Sequence, residues 1–145
     1  MKSFEELDCW KLATELRRKI SETVKSFPKT EQYRLVDQLT RASRSVTALI
    51  AEGYGRFHFQ ENIQFCRQAR GSLHEVLDHL IVARDENYIS EEQFSNLRIE
   101  INRCLSVLNG YINYLVKAKT VDNKVSEPEL EYGTDTTDNE LTDNR

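Results

Sequence analysis

Apolar residues recur in steps of three and four along four long segments of this sequence, as they do on one face of an α-helix. In the first segment the pattern consists of Leu7, Trp10, Ala13, Leu16, Ile20 and Val24. Comparable stripes lie within residues 35–50, 63–81 and 94–115. A helix with one apolar stripe is stable only when that stripe packs against other elements. The sequence therefore predicts an all-α fold in which four helices share one core.

The stripes and the breaks between them give the expected helix bounds and topology. Helices are predicted over residues 5–26, 31–53, 60–87 and 91–119. Because the connections are short, consecutive helices should be antiparallel neighbours. We therefore expect an antiparallel up-down-up-down four-helix bundle that occupies residues 1–119.

Individual residues mark the expected helix ends. Pro28 stops the first helix, because the residue before a proline is disfavoured in the α region, and Thr30 is the expected N-cap of the second. Gly53 is expected to end the second helix in the left-handed conformation. Residues 90–93 fit a capping box at the start of the fourth helix. Gly71 lies inside the third helix, where we expect it to permit close approach of a neighbouring helix.

The charges divide the chain into two regions. The net charge is −4, from 20 basic and 24 acidic residues. Residues 120–145 contain eight of the acids and two of the bases, so residues 1–119 carry a net charge of +2. The apolar period also stops near residue 120, and a segment this polar cannot bury enough surface to offset its ordering entropy. We predict a disordered acidic C-terminal tail over residues 120–145, following a slightly basic bundle.

No catalytic or metal-binding constellation stands out in the sequence. The three cysteines, Cys9, Cys66 and Cys104, are far apart and are expected to be small apolar residues of a reduced protein. His74 and His79 are five residues apart, about 140° around a helix, whereas a zinc-protease helix needs a spacing of four. We therefore predict a non-enzymatic protein with no catalytic residues, no metal site and no cofactor.

The location of the chain follows from its hydropathy. It contains no apolar run of about 18 residues, so no membrane contact is expected. Its first ten residues lack the apolar region of a secretory signal. A cytoplasmic location is the resulting expectation.

Arginines are the most informative polar residues. Those assigned to nucleic-acid binding are Arg17, Arg18, Arg44, Arg56, Arg67 and Arg70. The guanidinium group binds phosphate through two parallel hydrogen bonds and stacks on bases, so an arginine-rich surface favours RNA or DNA. A structural use of arginine is the alternative. In that interpretation Arg41, Glu52 and Glu75 form a buried charge network that orients the helices.

Several aromatic residues lie off the apolar stripes. They are Tyr33, Tyr54, Phe57, Phe59, Phe65, Tyr111 and Tyr114. A thin bundle core does not hold all of them, and surplus apolar surface favours a partner or self-association. The alternative is the ordinary scatter of exposed aromatic side chains found on soluble proteins.

Short motifs occur in a fixed order along residues 3–117. They are Phe4-x-x-Leu7-x-x-Trp10-x-x-Ala13, Phe27-Pro28-x-x-Glu31, Gln38-x-x-Arg41-Ala42-x-x-Ser45-Val46, Ile50-Ala51-Glu52-Gly53-x-Gly55-Arg56 and Phe65-x-x-x-Ala69-x-Gly71-Ser72-Leu73-x-Glu75. This series resembles the bacterial four-helix-bundle family of proteins encoded in intervening sequences of large-subunit (23S) ribosomal RNA genes. Relatives of that family include the accessory variability determinants of diversity-generating retroelements. Thr47 and Leu49 stand where the family usually has Pro and Asn.

The resemblance implies a homopentamer without catalytic activity and, in the retroelement relatives, binding to a reverse transcriptase and to nucleic acid. We therefore predict a homo-oligomeric adaptor that contacts nucleic acid, or an enzyme acting on nucleic acid, through its arginine-rich surface. The alternative is a purely structural or protein–protein interaction oligomer that binds no nucleic acid.

Overall fold

Four long helices form the chain. The computed structural model describes the backbone of residues 2–126 and the side chains of residues 2–123. The helices are α1 (Asp8–Thr23), α2 (Leu35–Gly55), α3 (Phe59–Asp85) and α4 (Glu91–Ser126). Short 3₁₀ turns occupy Phe4–Glu6, Val24–Ser26 and Lys29–Glu31. The all-α prediction is confirmed, and no helix in the described region is long and apolar enough to cross a membrane.

The helices pack as a four-membered bundle in which α1 contacts α2 and α4, and α3 contacts the same two helices. Two hydrogen bonds between α3 and α4 show their relative direction. Lys119 Nζ donates to Gln60 Oε1 at 2.7 Å, and Arg70 Nη1 donates to Asn109 Oδ1 at 2.9 Å. As residue numbers rise along α3, those of the contacting residues on α4 fall. The predicted up-down-up-down bundle is confirmed.

The predicted apolar stripes meet in one core. Its largest fully buried side chains are Leu16, Ile20, Leu39, Val46, Ile50, Ile63, Leu73, Val76, Leu80, Ile101, Leu108 and Ile112. The three cysteines are also buried as free thiols, and burial raises the pKa of each of them to about 12. Their predicted use as small apolar residues is confirmed.

The start of α2 differs from the prediction. The helix begins at Leu35 rather than at residue 31, and Thr30 lies in the preceding 3₁₀ turn. The N-cap position is Arg34, whose side chain makes no capping bond, and the Glu31 Oε1 atom accepts a hydrogen bond from the Leu35 backbone N–H at 3.2 Å. The Glu31 Oε2 atom accepts one from the Tyr88 hydroxyl at 2.8 Å, which ties the start of α2 to the α3–α4 connection. The N-cap prediction for Thr30 was therefore wrong.

The corner between α2 and α3 also differs. Gly53 lies within α2, which continues to Gly55, and no described glycine has a positive φ. The left-handed residue of the corner is Phe57, with φ of 55°. The glycine at 53 serves close packing instead, because a Cβ there would lie 2.7 Å from Asn62 Oδ1 and 2.9 Å from Phe65 Cβ. The predicted left-handed C-cap at Gly53 was wrong.

The two ends of α4 give opposite outcomes. The capping box at its start is confirmed: Gln93 N–H donates to Ser90 Oγ at 3.0 Å, and Ser90 N–H donates to Gln93 Oε1 at 2.9 Å. At the other end, the helix continues past the predicted boundary at residue 119 as far as Ser126. The first part of the predicted tail is therefore helical. Its remainder, residues 127–145, lies outside the described residues.

Candidate nucleic-acid interface

The six arginines assigned to nucleic-acid binding are not gathered on one surface of the chain. Arg44 is exposed on the outer side of α2. Arg56 lies at the α2–α3 corner, where it pairs with Glu52 (3.1 Å) and its guanidinium carbon lies 5.0 Å from the centre of the Phe65 ring. Arg70 faces α4 through its bond to Asn109. Different helices therefore present these arginines in different directions.

Arg17 and Arg18 lie on α1, away from this corner. Arg18 is exposed, and Arg17 is half-buried. Lys19 of the same helix pairs with Glu100 on α4. Arg17 lies two residues before Lys19, about 200° around the helix, so it faces away from α4. Neither arginine of α1 therefore belongs to the surface formed by α3 and α4.

The predicted buried charge network is not formed. Arg41 Nε pairs with Asp37 on its own helix at 3.1 Å, and its side chain is 79% exposed. Glu52 pairs with Arg56, and Glu75 pairs with His79 Nε2 at 3.2 Å, again within one helix. In each case the partner is four residues away, which is the separation at which side chains of one helix meet. The Arg41 and Glu52 pairs are substantially exposed and contribute little to stability, and none of the three pairs joins two helices. The prediction of a buried network of Arg41, Glu52 and Glu75 was therefore wrong.

On the side of the bundle formed by α3 and α4, both helices contain a long stretch without acidic residues. No acidic residue occurs between Glu61 and Glu75 on α3, or between Glu100 and Asp122 on α4. The α3 stretch contains Arg67 and Arg70, and the α4 stretch contains Lys117 and Lys119. Arg103 is also in the α4 stretch, but it lies three residues after Glu100, which pairs with α1, and so is directed toward α1. Because the two helices pack against each other in antiparallel fashion, the two acid-free stretches lie side by side. We call this surface the α3–α4 face.

Amide and hydroxyl groups supplement the basic residues of the α3–α4 face. Asn102, Ser106, Asn109 and Asn113 follow one another at helical spacing on α4. Asn109 already accepts a hydrogen bond from Arg70, which places this row beside α3. Side chains of this kind donate hydrogen bonds to phosphate and sugar oxygens in protein–nucleic-acid complexes. The face therefore combines positive charge with neutral donors.

Arg67 occupies an unusual position at this face. The residue is half-buried, yet its Nε atom is buried and has no hydrogen-bond partner among the described residues. A buried donor without a partner is costly, whereas the aliphatic part of an arginine side chain gains from burial. Packing therefore holds the arginine stem close to the helix surface.

Two glycines make the middle of the α3–α4 face smooth. Gly71 and Gly110 are exposed, and a Cβ built on either would meet nothing within 4 Å. Gly71 therefore does not serve close packing of a neighbouring helix of this chain, and that prediction was wrong. Each glycine costs about 1 kcal/mol relative to alanine within a helix, and no contact in the described region offsets that cost.

Sequence reasoning selected Arg67 and Arg70 but missed the α4 half of the face. The signal was available, since a stretch of α4 without a single carboxylate is visible in the sequence. The residue type of each arginine does not show this surface, because the surface is defined by the absence of acids on two helices that pack together.

A second feature lies at one end of the bundle, where α1 begins and α2 meets α3. A cleft of about 640 Å³ opens there. Five of the aromatic residues noted in the sequence line it: Tyr54, Phe57, Phe59, Tyr111 and Tyr114. Three of them, Tyr54, Phe59 and Tyr111, also pack against the core. The prediction that the core cannot hold all the surplus aromatics is confirmed for Tyr33, Phe57 and Tyr114, which are 89%, 85% and 62% exposed.

A buried polar pair forms part of the wall of this cleft. Asn62 is 7% exposed, and its Nδ2 donates to the Tyr111 hydroxyl oxygen at 3.1 Å. Its Oδ1 lies 3.5 Å from the Cys66 thiol, which donates to it weakly. Burial raises the pKa of Tyr111 to about 12, so its hydroxyl keeps its proton at neutral pH. Because the Tyr111 hydroxyl oxygen accepts the hydrogen bond from Asn62, the hydroxyl proton remains available for donation to another group.

The predicted departures from the family pattern lie in ordinary helical environments. Thr47 is buried, and its hydroxyl donates to the Arg44 carbonyl oxygen of the same helix at 3.2 Å. Leu49 is half-buried against the core. Among the described residues, no group of three or more His, Cys, Asp or Glu side chains is arranged to hold a metal ion.

Comparison with known proteins identifies the family to which this architecture belongs. The family model described as 23S rRNA-intervening sequence protein matches residues 5–110, which is most of the bundle. No curated protein matches the chain. The match begins in the 3₁₀ turn before α1 and ends within α4, so it includes all three helix–helix connections and the α3 half of the basic face. The chain belongs to the family of 23S rRNA-intervening sequence proteins.

Proposed function

We propose that this chain is a non-enzymatic adaptor that binds the phosphate backbone of nucleic acid through its α3–α4 face. The observation that carries the proposal is the pair of acid-free stretches brought together by antiparallel packing of α3 and α4. This surface carries Arg67, Arg70 and Lys117, and neither stretch contains a carboxylate. It therefore attracts polyanions.

The dimensions of the face suit this role. The thirteen residues from 62 to 74 extend for about 20 Å at 1.5 Å per residue. A length of about 20 Å corresponds to roughly six nucleotides at 3.4 Å per nucleotide along a duplex strand. The smooth centre at Gly71 and Gly110 lets a backbone approach closely, while Asn109 and Asn113 offer neutral donors beside it. Such contacts recognise phosphate and sugar rather than base sequence.

Self-association completes the proposal. The resemblance to the pentameric relatives supports a homopentamer, and a ring of five such faces would raise affinity through multivalency without any new contact. Binding to a reverse transcriptase, as in those relatives, stays a prediction of the resemblance.

The test compares two charge-matched double variants in a binding assay. The first, Arg67→Gln with Lys117→Gln, removes two positive charges from the α3–α4 face. The second, Arg41→Gln with Lys25→Gln, removes two positive charges from elsewhere on the surface. Both side chains are exposed, and each pairs with an acidic residue three or four positions away. Affinity for a 20-nucleotide single-stranded RNA and for a duplex of the same length is measured by fluorescence anisotropy at about 50 mM salt.

We expect the first variant to lose at least tenfold in affinity and the control to lose less than threefold. Both should keep the circular dichroism spectrum and melting behaviour of the wild-type chain. Equal losses in the two variants would show that only net charge matters and would refute a binding face on α3 and α4. Absence of binding by the wild-type chain would refute nucleic-acid contact altogether.

A purely structural or protein–protein role is the second candidate. Tyr33 and Ile99 are exposed apolar side chains, at 89% and 58%, that lie outside the α3–α4 face and the aromatic cleft. Exposed apolar side chains of this kind favour association between proteins. Light scattering distinguishes the candidates when run beside the anisotropy assay, because an oligomer that binds neither RNA nor DNA supports this role.

A further inference from the structure

The cleft at the end of the bundle has the composition of a cation-binding site. Its volume of about 640 Å³ lies within the range of ligand pockets. Tyr111 and Tyr114 stack in it with ring centres 6.3 Å apart, and Tyr54 and Phe57 lie 6.1 Å apart. The face of an aromatic ring carries negative potential and attracts ammonium and guanidinium groups.

The charged residues of the cleft have the matching sign. Glu6 and Asp8 both line it, from the 3₁₀ turn before α1 and from the first turn of α1. No lysine or arginine is among its lining residues in the described part of the chain. The aromatic walls and the two carboxylates therefore favour the same kind of ligand, an organic cation with an apolar stem. The carboxylates also repel phosphate, which separates this site from the α3–α4 face.

The backbone of the cleft is held in a costly conformation. Phe57 adopts a φ of 55°, which bulky residues rarely do, and its ring is left 85% exposed. A backbone outlier at a cleft is a reasonable pointer to function. Asn62 holds the Tyr111 hydroxyl from behind, and Gly53 provides the space that Asn62 needs. The walls are thus preorganised.

We propose that this cleft receives an arginine or lysine side chain from a partner protein. The cation would lie against the aromatic rings near Glu6 and Asp8. A protein segment suits the site better than a free small molecule, because the apolar surface extends to the exposed rings of Phe57 and Tyr114. Those rings are covered by the backbone and neighbouring side chains of a segment, but a small cation inside the cleft leaves them in water.

The chain's own C-terminal segment is a poor occupant on charge alone. Residues 127–145 contain seven acids and one base, so they carry the same sign as the rim of the cleft. The proposed partner is therefore a basic segment of another protein. The site goes beyond the proposed nucleic-acid contact, because it lies on a different surface and selects the opposite charge.

The test uses two short peptides and the full chain. The first peptide is acetyl-Gly-Leu-Arg-Leu-Gly-amide, and the second replaces its arginine with citrulline, which has nearly the same shape without the charge. Binding is followed by titration of the amide spectra of the isotope-labelled protein. We expect the arginine peptide to bind at least tenfold more tightly, with shifts concentrated around residues 54–62 and 107–115.

Variants locate the site. Phe57→Gly removes the exposed ring and relieves the left-handed strain, so the fold should be retained while affinity falls at least fivefold. Glu6→Gln should weaken binding of the arginine peptide and leave the citrulline peptide unaffected. Tyr33→Ala, which removes an equally exposed ring elsewhere, is the control and should change nothing.

Three results would overturn the proposal. Equal affinity for the two peptides would show that the cleft does not select a cation. Unchanged affinity of Phe57→Gly would place the peptide elsewhere. Binding of tetramethylammonium as tight as that of the arginine peptide would assign the cleft to a free organic cation instead of a protein segment.

Discussion

Replacing Gly53 by alanine tests the packing of the α2–α3 corner. A Cβ at this position would lie 2.7 Å from Asn62 Oδ1, 2.9 Å from Phe65 Cβ and 3.3 Å from the Asn62 carbonyl oxygen. Carbon atoms in contact are normally about 3.5–4.0 Å apart, so α2 and α3 must separate locally. Because two of the three atoms belong to or adjoin the backbone of α3, rotation of a side chain does not remove the clash.

The size of the effect follows from two opposing contributions. Alanine is favoured over glycine in a helix by up to about 1 kcal/mol, and less near a helix end. Overpacking of a close-packed contact costs about 1–3 kcal/mol. We therefore expect Gly53→Ala to lower the free energy of unfolding by about 1–2 kcal/mol, which raises the unfolded fraction by about 5- to 30-fold.

Gly71→Ala is the matched control, because a Cβ at Gly71 meets nothing within 4 Å. It should raise the free energy of unfolding by about 1 kcal/mol. Urea unfolding followed by circular dichroism, at several protein concentrations to account for self-association, measures both values. A Gly53→Ala variant that is as stable as wild type, or a Gly71→Ala variant that is less stable, would refute the reasoning.

Four further predictions concern buried and paired groups. Thr14→Val should stabilise the fold by about 1 kcal/mol in urea unfolding, because the buried Thr14 hydroxyl has no hydrogen-bond partner in the described structure; a loss of stability would indicate a bond that valine removes. Cys9, Cys66 and Cys104 should resist thiol reagents at pH 8 until urea unfolds the chain, and labelling of the folded protein at the rate of the unfolded one would contradict their burial. Burial raises the pKa of each thiol from 9.0 to about 12. The stability that the protonated thiols contribute should therefore be complete below pH 9 and fall as the pH rises toward 12. A urea midpoint that rises over this pH interval would contradict the prediction. Lys19→Ala should cost less than about 1 kcal/mol, because the Lys19 side chain that pairs with Glu100 of α4 is more than half exposed, and a loss of several kcal/mol would show a buried role.

The bundle was predictable because its determinants are local. Apolar residues at helical spacing define the four stripes, and the capping box at Ser90 and Gln93 contains both partners within four residues. Thr30 was preferred as an N-cap by residue type, but it lies in a 3₁₀ turn, the N-cap position is Arg34, and the Leu35 N–H donates to the Glu31 carboxylate. The preference of a residue type for the N-cap position does not show that a further turn will separate that residue from the start of the helix.

The sites were predictable only in part, because they depend on which helix faces meet. Arg41 was assigned to a network across helices, although Asp37 lay four residues away and offered a partner at a much smaller entropic cost. The contact between Asn62 and Tyr111 joins residues 49 positions apart, and no local pattern reports it. Arg67 was recognised from its residue type, but the surface around it became visible only once α4 was placed beside α3.

The salt dependence of RNA binding tests the central claim most directly. For the wild-type chain we expect the logarithm of the affinity for single-stranded RNA to fall linearly with the logarithm of salt concentration, by about 0.7 per phosphate engaged. Removing Arg67 and Lys117 together should make that slope shallower by about 1.4, since two phosphate contacts are lost. A wild-type slope near zero, or the same slope in both proteins, would contradict the assignment of the α3–α4 face to phosphate binding.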